Sequence, residues 1–333
     1  MLKHYLVLGH RREDQILRLI DSLDDGDSRF WAHLDARMPL PEYSSLRHRR
    51  SVTVVTQRRE CNWGTYEIVA ATLDALRAAI ASGEPGYVVL LSGQDYPVKS
   101  RDQIDAHLSA HPHAVHGDTA PISATWPDRY RWKTDFYAVS LGGQRTSLKL
   151  WPALSSLGSK DRWNRMRLIL GSLGLGRGVR CIRDIWHPRT PFVVPQYGGS
   201  QWWGMPWTVA TSVLGYLDAH PEYERYYRYT QCPDEIIFHT VIEQLRLAGQ
   251  VGKVLPKLTH VVWPPDNTGS PKVLGMEDLA ALLALPEHVL FARKLDLDHD
   301  AELFDALDKA IDGTLQARGH VMPSDEPKAG DAP

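Results

Sequence analysis

The chain has 333 residues, of which 43% are hydrophobic and 23% charged, the composition of a packed globular protein. Its formal net charge of -2 gives no reason to expect nucleic acid or an anionic membrane surface as a general partner, so any phosphate-binding charge must be local. The three cysteines, Cys61, Cys181 and Cys232, are too scattered for a disulfide framework and form no CxxC pair, which favours a reducing cytoplasm.

Strands alternate with helices from the first residues onward. Buried strands are predicted by apolar runs, and helices by apolar residues at helical spacing. The strands cover Tyr5–Leu8, Phe30–Asp35, Val52–Thr56 and Tyr87–Leu91, and the helices cover Asp14–Leu23 and Ile68–Ile80. This alternation predicts an α/β fold with a mostly parallel central sheet and helices on both faces.

Polar residues stand where these strands end, which is where such sheets bind ligands. They are Asp35 and Arg37, then Asn62-Trp63-Gly64, then Ser92-Gly-Gln-Asp-Tyr-Pro97. Asp35 and Arg37 share one face if the strand persists, and there they would hold a uracil or ribose. Alternatively, they form a surface salt bridge worth under about 1 kcal/mol.

The rest of the chain is less regular until its final third. We expect residues 109–197 to be variable loops and short helices, with regular elements at Trp207–Leu217, Glu235–Leu247 and Glu277–Leu285. A membrane span needs about 20 apolar residues, and no segment predicts one, since glycines interrupt Leu168–Leu175. We therefore predict a single domain over 1–321, with segments 1–108, 109–197 and 198–321, and a disordered tail at 322–333.

Glu235 is the candidate general base. It stands with Pro233 and Asp234 at the start of an apolar helix, where it could face a cleft and remove a proton from an acceptor hydroxyl. The alternative is structural, with Asp234 capping the helix and Glu235 complementing the helix dipole.

Two further strings suggest ligand contacts. Gly198-Gly-Ser-Gln-Trp-Trp-Gly204 is either a buried tryptophan pair beneath a glycine turn or a loop that stacks on a sugar or base. Arg293 and Lys294 are either a solvated cationic pair or a grip on a diphosphate that offsets charge on a departing nucleotide.

Metal motifs are sparse in the sequence. The Asp-x-Asp matches are Asp296-Leu-Asp298 and Asp298-His-Asp300, which precede a helix predicted around Ala301–Ile311 and are interpreted as helix-start acids. A histidine-rich stretch lacks an accompanying acid or cysteine cluster and is interpreted as a solvated loop. Its members are His107, His111, His113 and His116.

Taken in order, these strings resemble the core-2/I-branching N-acetylglucosaminyltransferase and peptide O-xylosyltransferase family, glycosyltransferase family fourteen. The resemblance covers most of the chain. The matching strings are Tyr5-Leu-Val-Leu-Gly-His10, His33-Leu-Asp-Ala-Arg37, Asn62-Trp-Gly64, Leu91-Ser-Gly-Gln-Asp-Tyr-Pro97, Gly199-Ser-Gln-Trp-Trp203, Pro233-Asp-Glu235 and Phe291-Ala-Arg-Lys294.

The resemblance implies a GT-A-type nucleotide-binding fold in which paired basic residues replace a catalytic metal. It implies that Glu235 is the catalytic base and that Arg293 and Lys294 clamp the diphosphate. Further implied site residues contact the nucleotide, line the donor pocket, or line the cleft near donor and acceptor sugars. These are Asp35 and Arg37 for the nucleotide, Trp63 for the donor pocket, and Asp95, Ser200, Gln201, Trp202 and Trp203 for the cleft.

The implied function is inverting transfer of a sugar, GlcNAc or xylose, from a UDP-sugar to a hydroxyl of a glycan or polysaccharide, forming a β-linkage in surface glycan synthesis. No cofactor or divalent metal is expected, nor a nucleic acid partner. Unlike animal members, the chain has no predicted anchor, so we expect a bacterial-type cytoplasmic member, with peripheral membrane association left open. The alternatives are a non-catalytic carbohydrate- or nucleotide-binding protein and a glycoside hydrolase that pairs Glu235 with Asp95.

Overall fold

A computed structural model of the chain describes residues 1–38, 44–142, 147–264 and 270–313. The strands are β1 (Lys3–Gly9), β2 (Ser28–Leu34), β3 (Val52–Val54), β4 (Tyr87–Ser92), β5 (Asp95–Pro97), β6 (Val115–His116), β7 (Ala120–Pro121), β8 (Tyr137–Ser140), β9 (Leu148–Trp151), β10 (Tyr197–Gly198), β11 (Gly204–Pro206), β12 (Val254–Leu255), β13 (Thr259–Val261) and β14 (Phe291–Arg293). The predicted tail at 322–333 lies outside the described residues.

The helices are distributed along the whole described chain. They are α1 (Glu13–Leu23), α2 (Ser44–Arg47), α3 (Tyr66–Ala81), α4 (Arg101–Ala110), α5 (Ile122–Thr125), α6 (Tyr130–Thr134), α7 (Ser159–Asp184), α8 (Trp207–Ala219), α9 (Pro221–Tyr227), α10 (Ile237–Leu247), α11 (Leu279–Leu283) and α12 (Ala301–Ile311). Short 3-10 turns cover Leu154–Ser156, Pro233–Glu235 and Met276–Asp278.

A seven-stranded sheet forms the centre of the fold, with strand order β12-β6-β11-β4-β1-β2-β3. β1 pairs in parallel with β2 and β4, and β2 with β3, whereas β11 runs antiparallel to β4 and β6. The prediction of an α/β fold with a mostly parallel central sheet is therefore confirmed. A second, three-stranded sheet has the order β13-β14-β5, and its strands β14 and β5 carry Arg293 and Asp95.

Helices pack on both faces of the central sheet, as predicted. Side chains alternate along β1, so that Tyr5 and Val7 join one hydrophobic cluster while Leu6 joins the other. The first cluster includes buried residues of α1, α4 and α12, and the second includes those of α3, α8 and α10. The sheet is thus the middle of three layers.

The predicted elements of the amino-terminal part are confirmed, each within a few residues of its expected ends. The middle of the chain differs from expectation. Residues 109–197 contain α7 of 26 residues and the antiparallel pair β8–β9, whereas loops and short helices were expected. The glycines within α7 lower its helix propensity, so the sequence did not predict this helix.

Candidate active site

A cavity of about 780 Å³ opens at the carboxyl ends of β1, β2 and β4. Gly9 and His10 line it after β1, Asp35 after β2, and Ser92 and Gln94 at the end of β4. Since β1 lies between β2 and β4, the strand order reverses at this edge of the sheet. Open α/β sheets bind ligands in the crevice at such a reversal, and the volume suits a small-molecule site.

Asp35 is buried in the cavity wall and organises the neighbouring loop. Its carboxylate accepts hydrogen bonds from the Arg37 guanidinium at 2.6 Å and from the Cys61 backbone N–H at 2.9 Å. Burial disfavours the charged carboxylate, but these hydrogen bonds outweigh burial and lower the pKa of Asp35. Arg37 also donates to the Asn62 side-chain oxygen at 3.1 Å. Arg37 is therefore turned onto this loop and is not a lining residue of the cavity.

Trp63 lines the cavity from a turn that is tied to the segment carrying Glu235. The turn needs Gly64, whose φ is +75° and whose added Cβ would lie 2.9 Å from a methyl carbon of Leu148. The Gly64 carbonyl accepts a hydrogen bond from the Cys232 backbone N–H at 3.0 Å. The Trp63 turn and the acidic segment are consequently held at a fixed separation.

Arg293 is held by strand pairing against a buried acid. β14 runs antiparallel to β5, and this register places Arg293 opposite Asp95. The guanidinium donates to Asp95 at 2.9 Å and to the Ser92 hydroxyl, and it lies 4.5 Å from the centre of the Trp202 ring. Burial raises the pKa of Asp95, while the positive charge of Arg293 opposes that rise. Lys294 follows Arg293 and also lines the cavity.

His10 adds a neutral group to this cationic side of the cavity. It is accessible to solvent at the cavity wall, but protein surrounds the ring on its other sides. This enclosure, with the positive charges of Arg293, Arg11 and Lys294, lowers the pKa of His10 to about 4. At neutral pH the His10 ring is therefore uncharged, and the positive charge here belongs to the arginines and lysine.

Glu235 also lines the cavity and is paired with a buried lysine. Lys133 of α6 donates to the Glu235 carboxylate at 3.0 Å and to the Gln231 carbonyl at 3.1 Å. The lysine ammonium also lies 4.3 Å from the centre of the Trp126 ring, which lines the cavity. Burial opposes the charged lysine, but the Glu235 charge and hydrogen bond raise the pKa of Lys133. Glu235 therefore has a fixed cationic neighbour.

Asp234 does not cap the helix, so that part of the structural alternative is wrong. Pro233–Glu235 is a 3-10 turn, α10 begins only at Ile237, and Asp234 makes no side-chain capping bond there. The Asp234 side chain is buried, and one of its oxygens has no hydrogen-bond partner among the described residues. Burial, followed by the negative charge of Glu235, raises the pKa of Asp234.

The glycine–tryptophan string has two different sides. Ser200, Gln201 and Trp202 line the cavity. Trp202 and Trp203 are both buried members of the hydrophobic cluster beneath the cavity, but Trp203, 1% exposed, is not among the lining residues, so its predicted place in the cleft is corrected. Gly199, within the string, is required by close packing, since an added Cβ would lie 1.5 Å from the Asp118 carbonyl oxygen.

The sequence profile of the core-2/I-branching enzymes matches residues 4–283 of the chain. The chain belongs to this family. It is therefore a glycosyltransferase of the core-2/I-branching type, and its central sheet is that of a GT-A-like fold. A comparison with curated proteins gave no match. The matched region ends before Arg293 and Lys294, so their place in the site rests on geometry.

The Asp-x-Asp acids of this glycosyltransferase bind protein groups. Asp300 caps α12 by accepting from the Leu303 N–H at 3.0 Å, as a helix-start acid is expected to do. Asp296 and Asp298 instead pair with Arg11 and Arg12, which corrects their interpretation as helix-start acids. Over the described ranges, no cluster of three or more His, Cys, Asp and Glu side chains is arranged to hold a metal ion.

The histidine-rich stretch of the glycosyltransferase is only partly solvated. His116 is buried on β6, with its ring nitrogens 2.6 Å from the Tyr87 hydroxyl and 3.1 Å from His107. Burial and the neighbouring histidines lower the pKa of His116 to about 3. The expectation of a solvated loop is therefore wrong for His116 and holds for His113, which is exposed.

The structure brings most of the predicted site residues of the glycosyltransferase into one cavity. The lining residues among them are Glu235, Asp35, Trp63, Arg293, Lys294, Ser200, Gln201 and Trp202. Arg37 and Asp95 do not line the cavity. Arg37 is hydrogen-bonded to Asp35, and Asp95 to Arg293. Sequence reasoning missed Lys133 and Trp126, because only the fold brings α6 and the end of α5 to the acidic turn, and it considered Asp234 only as a helix cap.

Among the residues that the structure describes, the glycosyltransferase has no helix whose length and apolar character would let it cross a bilayer.

Proposed function

We propose that this protein is an inverting, metal-independent glycosyltransferase that moves GlcNAc or xylose from a UDP-sugar to an acceptor hydroxyl. The observation that carries the proposal is that the Glu235 carboxylate and two cations, Arg293 and Lys294, line the same cavity. Inverting transfer needs a base for the acceptor and positive charge for the leaving diphosphate. The residues of this cavity supply both.

The reaction is a single displacement. Glu235 takes the proton of the acceptor hydroxyl while the oxygen forms a bond to the anomeric carbon. The bond from that carbon to the diphosphate oxygen breaks, and UDP leaves with the electron pair. Attack from the face opposite UDP converts an α-linked donor into a β-linked product. Positive charge on Arg293 and Lys294 stabilises the departing diphosphate, which favours the transition state over the bound substrate.

The nucleotide is proposed to lie over the ends of β1 and β2. Asp35 is ionised and lines the cavity there, so it can accept hydrogen bonds from a uracil or from ribose hydroxyls. Trp63 offers a ring face at the same cavity. Arg37 acts through Asp35 and the Asn62 side chain, as a positioning residue for this part of the site.

Metal-independent transfer is proposed because fixed cations occupy the cavity where a divalent ion would otherwise meet the diphosphate. Arg293 is held at 2.9 Å by Asp95, so its fork keeps one orientation whether or not donor is bound. Such a preorganised cation supplies the electrostatic stabilisation that a metal would give.

The geometry removes Asp95 from the hydrolase alternative. A glycoside hydrolase needs two carboxyl groups that flank the scissile bond. Asp95 has a fully enclosed side chain paired with Arg293 and is not a lining residue of the cavity. It therefore cannot serve with Glu235 as the paired carboxylate.

We further propose that the protein acts in the cytoplasm, as a single domain over 1–321, on a glycan or polysaccharide acceptor during surface glycan synthesis. Support for the compartment comes from the three free thiols of Cys61, Cys181 and Cys232. Support for one domain comes from the central sheet, which takes strands from all three segments of the chain.

A donor screen with chelator present tests the proposal. The purified protein is incubated with UDP-GlcNAc, UDP-xylose and other UDP-sugars in EDTA, with thermal shift as the binding readout and UDP release, by transfer of the sugar to water, as the turnover readout. We expect one donor to raise the melting temperature, because a ligand that binds only the folded state stabilises it. Loss of UDP release in EDTA with recovery on adding Mn²⁺ would contradict metal independence, and no shift with any donor would contradict the UDP-sugar assignment.

A further inference from the structure

The segment 159–184 forms a helical hairpin that the catalytic proposal does not use. Helix α7 breaks at Gly174, whose φ of 74° and ψ of 169° belong to a backbone region that is essentially restricted to glycine. The chain then turns back on itself, so that Gly178 lies against the first arm. A Cβ added at Gly178 would lie only 3.0 Å from the Leu170 side chain and 3.5 Å from the Ile169 carbonyl oxygen. We name residues 159–184 the hairpin and residues 168–179 its tip.

One side of the hairpin, which includes Ile169 of the tip, is packed against the body of the protein. Ile169 and Cys181 join a buried cluster with Tyr137 and Trp151 of the β8–β9 pair. The Arg165 guanidinium lies 5.2 Å from the centre of the Trp151 ring. These contacts hold both helical arms, whereas other side chains of the tip face solvent.

The tip exposes aliphatic side chains to solvent. Leu175, next to the break, is 76% exposed, and Leu168 and Val179 are also exposed. Trp163, on the first arm, is 66% exposed. Single exposed apolar residues are ordinary, but four within one short element point to an interaction surface.

Cations accompany these apolar residues. The hairpin contains one lysine and six arginines against two aspartates, although the whole chain has a net charge of -2. Arg167, Arg177, Arg180 and Arg183 are all exposed. The hairpin is therefore locally positive, although the whole chain is slightly negative.

We propose that the hairpin is a membrane-surface anchor that inserts its apolar tip into an anionic lipid bilayer. Leu168, Leu175 and Val179 would enter the boundary between headgroups and acyl chains, and the arginines of the arms would contact lipid phosphates. Aliphatic side chains beside a glycine-rich break suit lipid better than nucleic acid, whose phosphate backbone would use the cations but not the tip. The glycines and charges prevent a span, so the hairpin lies in the surface.

Vesicle co-sedimentation of the full-length protein tests this proposal. The vesicles are phosphatidylcholine alone or phosphatidylcholine mixed with phosphatidylglycerol, each measured at low and at high salt. We expect binding to the anionic vesicles that weakens as salt rises, because screening reduces the attraction between arginines and phosphates. Binding that is equal on neutral vesicles, or absent on both kinds, would overturn the proposal.

Matched variants locate the contact. Leu175→Ser with Val179→Ser should reduce vesicle binding about tenfold or more, because two buried aliphatic side chains are lost. Arg177→Glu with Arg180→Glu should reduce it similarly. The controls are Leu247→Ser, which removes a 65% exposed leucine on α10, and Arg50→Glu, which reverses an exposed arginine outside the hairpin. We expect both controls to bind like wild type.

The variants also separate this proposal from misfolding and from other partners. The hairpin variants should retain the wild-type melting temperature and UDP release in solution. A tip variant that melts normally and still binds vesicles like wild type would overturn the proposal. Duplex DNA that outcompetes anionic vesicles for the wild-type protein would also overturn it and would assign the cations to nucleic acid.

Discussion

The two charged parts of the cavity are built by different means. We call Asp95, Arg293 and Lys294 the clamp wall, and Lys133, Asp234 and Glu235 the acid wall. In the clamp wall, the antiparallel register of β5 and β14 places Arg293 opposite the buried Asp95. In the acid wall, the carboxylates stand on one 3-10 turn, and their cation comes from α6, distant in sequence.

Because of this difference, substitutions in the two walls should change different measurable properties. The clamp wall is part of the hydrogen-bonded framework, so removal of one partner leaves a buried charge and costs stability. The orientation of Glu235 depends instead on a side-chain ion pair at the edge of the cavity, so removal of Lys133 should cost turnover first. Four variants test this difference.

Glu235→Gln should have the largest effect, since it keeps the side-chain shape but removes the proposed base. We expect kcat to fall by about 10²–10⁴-fold, while the UDP-sugar still raises the melting temperature. The measurement is UDP release under saturating donor and acceptor. The control is Glu243→Gln, which neutralises an acid of α10 that pairs with Arg246. Near wild-type transfer by Glu235→Gln would remove the base from the mechanism.

Arg293→Ala should be the most destabilising change. It leaves the enclosed Asp95 carboxylate without its cation, and breaking a buried pair in this way costs about 3–5 kcal/mol. Urea unfolding of the variant measures the loss. Adding Asp95→Ala should recover part of the stability but none of the transfer. If the double variant were no more stable than Arg293→Ala, the clamp wall would not depend on this pair.

Lys133→Met should lower kcat by about tenfold or more while KM for the donor stays near wild type. The lysine has a charge-assisted hydrogen bond to Glu235, and removing it leaves the carboxylate free to turn away from the acceptor. Lys133→Arg, which keeps the charge, should recover much of the rate. A rise in donor KM without a change in kcat would place Lys133 in donor binding instead.

Asp234→Asn should have the smallest effect and should depend on pH. The pKa of Asp234 is raised in the folded protein above about 3.9, its unfolded value. The protonated carboxyl therefore supports folding below that value, and this support is lost as pH rises through the folded pKa. We expect Asn, which is never charged, to be about 1 kcal/mol more stable than wild type at about pH 8 and nearly equal at about pH 4. Equal melting temperatures at both pH values would exclude an unpaired charge at Asp234.

Much of the fold could be predicted from the sequence because its signals are local. β4 is an almost continuous apolar run, β1 and β2 are largely apolar, and α1 has apolar residues at helical spacing. These strands also place Asp35 at the edge of the sheet where the cavity opens. The sequence did not predict helix α7, because Gly171, Gly174 and Gly176 lower helix propensity, whereas packing on the β8–β9 cluster is a tertiary contact.

The site was predictable only where its residues carry a local pattern. Arg293 and Lys294 stand side by side in sequence, and Glu235 follows Pro233 in a recognisable turn. Lys133 has no such signal, because 102 positions separate it from Glu235. That Trp202 lines the cavity and Trp203 does not is also a tertiary effect, since the sequence pattern alone does not distinguish the two tryptophans.

The position of β14 has a consequence for how the protein is made. β14 pairs with β13 and β5 near the carboxyl end of the described chain, whereas β1, β2 and β4 come from its beginning. Chains are synthesised from the amino terminus, so the central strands can pair while Arg293 is still absent. Until β14 arrives, Asp95 would be an acid enclosed without its counter-charge.

We expect a chain that lacks β14 to lack both the proposed diphosphate grip and the counter-charge of Asp95. An enclosed acid without its counter-charge lowers stability, and cellular proteases act on marginally stable chains. Competence for transfer and resistance to degradation would thus be acquired together, once β14 has been synthesised.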